Sequence, residues 1–262
     1  MGLLRWRYFD LRLIFVKSGN ESLYILYKII MAINYTLKDK ESIEAKVTFL
    51  RIAPNGKRQT LDDIFTKLSD LSWINRMTPP ALHKSFEIRA KRTLDKLVEI
   101  INNSATLPIV DAVVTDAAEY IVSVLAQEAV VCELGYRDIP LPEIYKQQKS
   151  QNPGFDFIVV NARDVVLFGE AKFETGNNAY GSALSQIVRF IAEQNDIADL
   201  VELYILIPKQ VDKVNQGEKG FVAAFSSTNL KTERLIKNIQ RNVNYDVAKG
   251  YDELILVAVD ML

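Results

Sequence analysis

The sequence holds one cysteine, Cys132, and one histidine, His83, in 262 residues. A single cysteine excludes an internal disulfide framework and a cysteine-rich zinc site. A single histidine argues against histidine-based metal centres and against Ser-His-Asp chemistry. Oxygen atoms are what remains to ligate a metal. Cys132, in Ala-Val-Val-Cys-Glu-Leu, reads as a small buried hydrophobe. His83 reads as a residue on an exposed helix face without a catalytic partner.

Long apolar runs are also missing. Asp10, Arg12 and Lys17 interrupt the first candidate for a signal peptide, and Lys28 interrupts the stretch from Leu23 to Ala32. No run is long enough to span a membrane, so no membrane partner is expected. There is no phosphate-binding glycine loop, no internal repeat and no low-complexity tract. An ATP-driven step would therefore come from a partner. The net charge is −1, which by itself argues against a strongly basic nucleic-acid binder. Its distribution is uneven: residues 1–100 carry 18 Lys/Arg against 11 Asp/Glu, residues 101–210 carry 7 against 15, and residues 211–262 carry 7 against 7. An acidic region preceded by a basic one fits a protein that grips a phosphate backbone with one part and cuts with another, and ordinary charge variation fits it almost as well.

What is present is enough apolar content, 48%, to fill one large or two modest cores. Residues 1–30 are aromatic and without clear periodicity, and Met31 opens a plausible true start, so they read as an N-terminal extension outside the fold. Residues 31–110 form an N-terminal region of helices and short strands. Within it, alternation from Ser42 to Ile52 predicts a strand ended by the turn Pro54-Asn55-Gly56-Lys57. Thr60-Leu61-Asp62-Asp63 reads as a helix cap leading to about Asn75. Pro79-Pro80 opens a helix from Ala81 to about Asn103, with Phe86, Leu94, Leu97, Ile100 and Ile101 inward. Lys84, Arg89, Lys91, Arg92 and Lys96 surround that stripe, either as phosphate contacts or as an ordinary solvated face.

Residues 111–262 read as the main core. Asp111 to Val131 is a helix apolar nearly all round and hence buried, with Glu119 and Glu128 as its two inward acids. A short strand from Val131 to Tyr136 and a polar loop from Ile139 to Pro153 follow. The loop from Thr175 to Gly181 leads into a helix from Ser182 to about Asn195. Strands are expected at Leu203 to Pro208, Phe221 to Ser226 and Glu253 to Val259, with a helix from Thr228 to about Val243 carrying Lys231, Arg234, Lys237 and Arg241.

The stretch that organises the rest runs from Asn152 to Glu174. It reads as two apolar strands, Asp156 to Val160 and Val165 to Phe173, around the polar turn Asn161-Ala162-Arg163-Asp164. Only Asp156, Glu170 and Lys172 interrupt the apolar runs. Side chains alternate with period two, so Glu170 and Lys172 share a face, and a connecting loop with an odd residue count places Asp156 opposite Glu170. A solvated sheet face would carry polar neighbours at that parity, whereas Ile158, Val160, Val166 and Phe168 occupy it. Charges there should pair with one another or with a metal ion. Two carboxylates offer oxygen ligands suited to Mg²⁺, with Mn²⁺ as a substitute, and the Lys172 ammonium suits orienting a water and offsetting charge on a phosphate.

Asp156 followed by Glu170-Ala171-Lys172 resembles the signature of the PD-(D/E)xK nuclease superfamily, with Phe155 in place of the usual proline. The resemblance covers roughly Asp111 to Asp260. It implies an α/β fold, a restriction-endonuclease-like core with a mixed central sheet flanked by helices. It implies Mg²⁺-dependent hydrolysis of phosphodiester bonds in DNA, with Asp156, Glu170 and the Ala171 carbonyl as metal ligands and Lys172 positioning the attacking water. The helix before the catalytic sheet often lends another acid to the metal site in this superfamily; Glu119 resembles that position as a further metal ligand, and Glu128 remains an alternative. Gln186 resembles the glutamine of a Gln-x-x-x-Tyr motif, although Phe190 lacks the hydroxyl; Arg189 beside them is a further phosphate contact. Gly-Phe-Asp and Leu-Phe-Gly-Glu-Ala-Lys-Phe look most like antiphage defence nucleases of bacteria, including the nuclease subunit of Hachiman systems, which works with a helicase. That likeness implies a cytoplasmic endonuclease whose partners are DNA and a helicase or other defence subunit, with self-association left open. The alternatives are a stand-alone restriction endonuclease and a non-catalytic DNA-binding or assembly subunit.

Overall fold

A computed structural model describes residues 13–15, 25–27, 33–104, 112–145, 154–176, 178–228 and 230–261. The chain divides into two compact units, Met1–Ala32 and Ile33–Leu262. In the first, β1 (Leu13–Phe15) and β2 (Ile25–Tyr27) pair antiparallel, with Ile14 opposite Leu26. The rest of the expected N-terminal extension, the Asp111 helix start and the parts of the two polar loops at 146–153 and at 177 lie outside the described residues.

The second unit begins with the hairpin β3 (Tyr35–Glu44) and β4 (Val47–Pro54), followed by α1 (Lys57–Ser69) and α2 (His83–Ser104). Next come α3 (Ala112–Leu134), β5 (Arg137–Asp138), α4 (Pro142–Tyr145), β6 (Phe157–Val160) and β7 (Val166–Lys172). The chain continues through α5 (Ala179–Ala192), α6 (Asn195–Ala198), α7 (Leu200–Leu206), α8 (Pro208–Asn215) and β8 (Lys219–Ser227). It ends with α9 (Thr232–Gln240), α10 (Val243–Ala248) and β9 (Leu254–Asp260).

The seven-stranded sheet has the order β3-β4-β9-β8-β7-β6-β5. Its four central strands β4, β9, β8 and β7 are parallel, and the hairpins at either side add antiparallel pairs. Helices cover both faces, which is why the strands read as nearly continuous apolar runs. On one face α3 buries Val122, Leu125 and Ala129 together with Phe157, Val159, Leu167 and Ala171. On the other, Ala183, Leu184 and Ile187 of α5 and Leu235 and Ile239 of α9 pack with Ile158, Val160, Val166 and Phe168. Each such aliphatic or aromatic side chain contributes roughly 1.5–3 kcal/mol when fully buried. The fold is therefore a mixed α/β sheet flanked by helices, as the sequence indicates.

Several local expectations are corrected. No boundary falls at residue 110: β4 pairs with β9, so residues 31–110 lend two strands to the same sheet as the core. The strand expected at Ser42–Ile52 is a hairpin that turns at residues 45–46. Thr60 is not a cap but is buried inside α1, donating its backbone N–H to Gly56 O at 2.9 Å. Residues 131–134 continue α3, which ends where Gly135, at φ 72°, donates its N–H to Val131 O at 3.1 Å, and the short strand shrinks to Arg137–Asp138. Leu203–Pro208 is helical rather than extended: Leu200 and Leu203 are buried three residues apart while Val201 and Tyr204 face solvent, and Pro208 opens the next helix. His83 is half-buried, its Nε2 3.0 Å from Met77 O. Cys132 is exposed as a residue, with its thiol donating to Glu128 Oε1 at 3.3 Å.

Candidate functional site

The hairpin β6–β7 is shaped by its turn. Asn161 Oδ1 accepts the N–H groups of Arg163 at 2.9 Å and Val165 at 3.0 Å, and Asp164 adopts the left-handed conformation with φ 60°. The resulting register pairs Phe157 with Gly169 and Ile158 with Phe168. One step further, Asp156 stands across from Glu170, its backbone N–H bonded to Gly169 O at 2.9 Å. Gly169 itself admits the Phe157 ring; a Cβ there would sit 2.4 Å from the ring carbons.

Asp156 Oδ2 accepts the Ala171 backbone N–H at 2.7 Å, which fixes the first carboxylate beside the second. The Lys172 ammonium lies 3.1 Å from Glu170 Oε1 and 3.3 Å from Glu119 Oε2. Glu119 arrives from α3, which is held onto the hairpin by Gln127: this buried side chain donates to Ile139 O at 2.7 Å and Ile158 O at 3.1 Å. Lys172 thus joins an acid on its own strand to an acid on the helix covering the opposite sheet face.

Glu170 is 0% exposed, and neither of its oxygens accepts a well-oriented hydrogen bond. The Lys172 contact is an ion pair whose geometry falls short of one. Burial first, and the neighbouring Asp156 charge second, push the Glu170 carboxyl well above the usual carboxylate range against the pull of Lys172. Desolvation opposes the charged form of Lys172, but Glu170, Glu119 and Asp156 together outweigh it and hold the ammonium above its ordinary value. Lys172 offsets only part of the cost of burying this carboxylate beside Asp156, so a further cation is the partner the chemistry of the two acids calls for.

The donor set fits a hard divalent ion. Asp156 and Glu170 supply carboxylate oxygens, and the Ala171 carbonyl lies between Glu170 and Lys172 in the chain. Among the described residues no group of three or more His, Cys, Asp or Glu forms a ready metal cage. Two carboxylates suit Mg²⁺, which keeps several waters and takes phosphate oxygens, better than an ion that wants an all-protein cage.

Not every expected residue joins. Glu128 is buried but turned toward Lys67 of α1, with which it forms an ion pair. The thiol of Cys132 beside it is pushed up to about 12 by desolvation and by Glu128, which removes it as a nucleophile. Gln186 is half-buried on α5, and no hydrogen bond ties it to Glu170 or Lys172. Phe190, in the place of the missing tyrosine, packs edge-on against Phe155 with ring centroids 5.2 Å apart. Arg189 is exposed, its guanidinium over the Phe190 ring at 5.2 Å and 3.9 Å from Glu193. On α2, Lys84 and Lys91 both pair with Glu87, at 3.1 and 2.6 Å; Arg89 lies over Phe86, and Arg92 is exposed.

One residue beside the site escaped the sequence reading. The Glu174 carboxylate accepts the Ser182 hydroxyl from α5, while its backbone N–H donates to Ser226 Oγ and its carbonyl accepts the Ser226 hydroxyl, both at 2.9 Å. Glu174 continues the period-two series of Glu170 and Lys172, and that parity was its available signal. No family model, no curated protein and no solved structure matches the chain.

Proposed function

We propose that the chain is a metal-dependent endonuclease of the PD-(D/E)xK type that hydrolyses phosphodiester bonds in DNA. The observation that carries this reading is the wholly buried Glu170, set beside Asp156 and paired at 3.1 Å with the Lys172 ammonium. Isolated ions on apolar strands are costly, and this set has the composition that phosphodiester hydrolysis uses. Asp156 and Glu170 would hold Mg²⁺, with the Ala171 carbonyl as a further ligand. When bound, the ion supplies Lewis acidity and a template for water and phosphate.

The chain's own groups then have separable tasks. The Ala171 N–H fixes the Asp156 carboxylate. The Lys172 ammonium, kept protonated by three acids, orients a water for attack and offsets the charge that develops on the phosphate. Glu119 pairs with the same ammonium from α3, so the lysine is held between two acids at the end of β7. DNA is favoured as substrate by the acid–lysine signature itself. Bacterial defence against foreign DNA, with a helicase as partner and the cytoplasm as compartment, is the setting that the surrounding residues support. Among the described residues, no helix is long and apolar enough to cross a membrane.

Incubating the purified chain with supercoiled plasmid and with linear DNA, in Mg²⁺ and in EDTA, tests the reading. Nicking or linearisation of the plasmid in Mg²⁺, lost in EDTA and in Glu170→Ala, is the expected result. Equal cleavage by Glu170→Ala would overturn it. DNA binding without cleavage in any divalent ion would identify a non-catalytic binding or assembly subunit instead.

A further inference from the structure

The strongest unassigned feature is the outer face of α9. Lys231, Arg234, Lys237 and Arg241 are all exposed. At steps of three, three and four residues they fall within about 120° of the helix circumference, on the side away from the buried Leu235, Ile236 and Ile239. Among the described residues none of the four makes an ion pair, whereas Lys84 and Lys91 of α2 share Glu87. Glu233 is the only acid in the helix.

The placement of α9 relative to the acid–lysine cluster follows from strand register. Lys172 pairs with Phe225, Phe225 with Ala258, and Ala258 with Arg51, so these four residues form one row across β7, β8, β9 and β4. Phe225 and Ala258 belong to the apolar layer shared with α5 and α9, so the row lies on that face of the sheet. At about 4.8 Å per strand the row spans about 14 Å. At its far end Arg51 anchors the start of α9, donating to Thr228 O at 3.1 Å, Leu230 O at 2.7 Å and Thr232 Oγ1 at 3.1 Å. Between the two ends, Tyr180 in the first turn of α5 lies edge-on to Phe225 with ring centroids 6.0 Å apart. The first turns of α5 and α9 therefore sit along one row with Lys172, and helix N-termini carry positive potential.

Lys231 at the N-cap and Arg234 in the first turn oppose that dipole, and Lys231 has no acceptor with which to cap the helix. Helix stability alone would select Ser, Thr, Asp or Asn at the cap and acids after it. Glu233 follows that rule, and Lys237 and Arg241, at the C-terminal end of the helix, also suit its dipole; Lys231 and Arg234 do not, and a partner explains them better than the fold. That partner must be a polyanion long enough to reach from α9 to Lys172. From Lys231 to Arg241 the helix rises about 15 Å, close to four phosphates of one strand at roughly 3.4 Å each along the duplex axis.

Resting on the nuclease reading, we propose that Lys231, Arg234, Lys237 and Arg241 form the surface that grips the phosphate backbone of duplex DNA while the acid–lysine cluster acts on it. The contact is to phosphates and carries no sequence information.

The test is equilibrium binding of the full chain to a short fluorescent duplex in EDTA, where cleavage is suppressed, across about 50 to 200 mM salt. Replacing all four residues by Gln should weaken binding at least 10-fold. The slope of log K against log salt should shrink by about 3.6, or about 0.9 for each of the four lost phosphate contacts. An Arg234→Glu, Lys237→Glu pair should also weaken binding at least 10-fold, and an unchanged melting temperature shows that each variant is folded. Wild-type affinity in both α9 variants, with the loss confined to a variant carrying Gln at Lys84, Arg89, Lys91 and Arg92, would overturn the α9 surface and leave the nuclease reading intact. A wild-type chain that binds anionic phospholipid vesicles but not the duplex would overturn it too. Absence of both DNA binding and cleavage in wild type would remove the two readings together.

Discussion

The Lys172 ammonium stands 3.1 Å from Glu170 Oε1, yet neither oxygen of that buried carboxylate accepts a well-oriented hydrogen bond. The strand thus holds a charge whose attraction to its neighbour is incompletely satisfied by the protein alone. Glu170→Ala and Lys172→Ala should each lower DNA cleavage by at least about 10²-fold while leaving duplex affinity within a small factor. Groups that act on charge developing in the transition state contribute little to ground-state binding. Single-turnover cleavage beside anisotropy binding separates the two quantities, and a parallel loss of affinity would count against the assigned roles.

How far this site was legible in the sequence depends on the periodicity of each element. Period two fixed the relation of Glu170 to Lys172, but the four-residue turn expected at 161–164 did not settle the register; Val160 pairs with Val166, and this five-residue connection, odd in count, places Asp156 opposite Glu170. Choosing between Glu119 and Glu128 needed tertiary packing: both lie on an all-round apolar helix, and only the position of α1, which brings Lys67 to Glu128, separates them. The same limit explains Leu203 to Pro208. A short apolar run cannot be assigned to strand or helix from sequence when the neighbour that buries Leu200 and Leu203 is unknown. The contribution of residues 31–110 to the sheet was hidden for a related reason, since β4 finds its parallel partner β9 some 200 residues later, a pairing that leaves no local signal.

In the absence of divalent ions, Glu170→Gln should be more stable than wild type at pH 8, and the difference should vanish toward pH 4. The sign follows from linkage. The folded-state Glu170 carboxyl is held above its unfolded value of about 4.3, so the native state binds the proton more tightly. Wild-type stability therefore falls as pH rises above the unfolded value, and the neutral amide escapes that loss. Melting curves of both proteins in EDTA at the two pH values measure the difference. Mg²⁺ should then raise the wild-type midpoint and leave that of Glu170→Gln unchanged, because binding to the native state alone stabilises it.

Gly169→Ala should destabilise the chain by about 1–3 kcal/mol through overpacking. The added methyl would meet the ring of Phe157, which is 0% exposed and wedged under α3. A rigid buried ring has nowhere to turn. Thermal melting should show a fall of about 2–4 °C per kcal/mol. Phe157→Leu combined with Gly169→Ala should recover part of it, since the clash and not the glycine backbone is the cause.

Glu119 differs from Glu170 in kind, and the difference is measurable. It touches Lys172 at 3.3 Å and is partly exposed, so it acts on the lysine from outside the buried pair. Removing it leaves Lys172 protonated by Glu170 and Asp156 but held from one side only. Glu119→Gln should therefore lower cleavage by about 10–100-fold, the range typical of groups that orient a ligand or a reactive neighbour, and less than Glu170→Ala. Glu119→Asp, which keeps the charge on a shorter stem, should fall between Glu119→Gln and wild type. A Mg²⁺ titration distinguishes this role from direct ligation: a positioning acid lowers the plateau rate, whereas a direct ligand shifts the midpoint to higher Mg²⁺. Should Glu119→Gln reach the wild-type plateau at high Mg²⁺, the acid belongs to the ion rather than to Lys172.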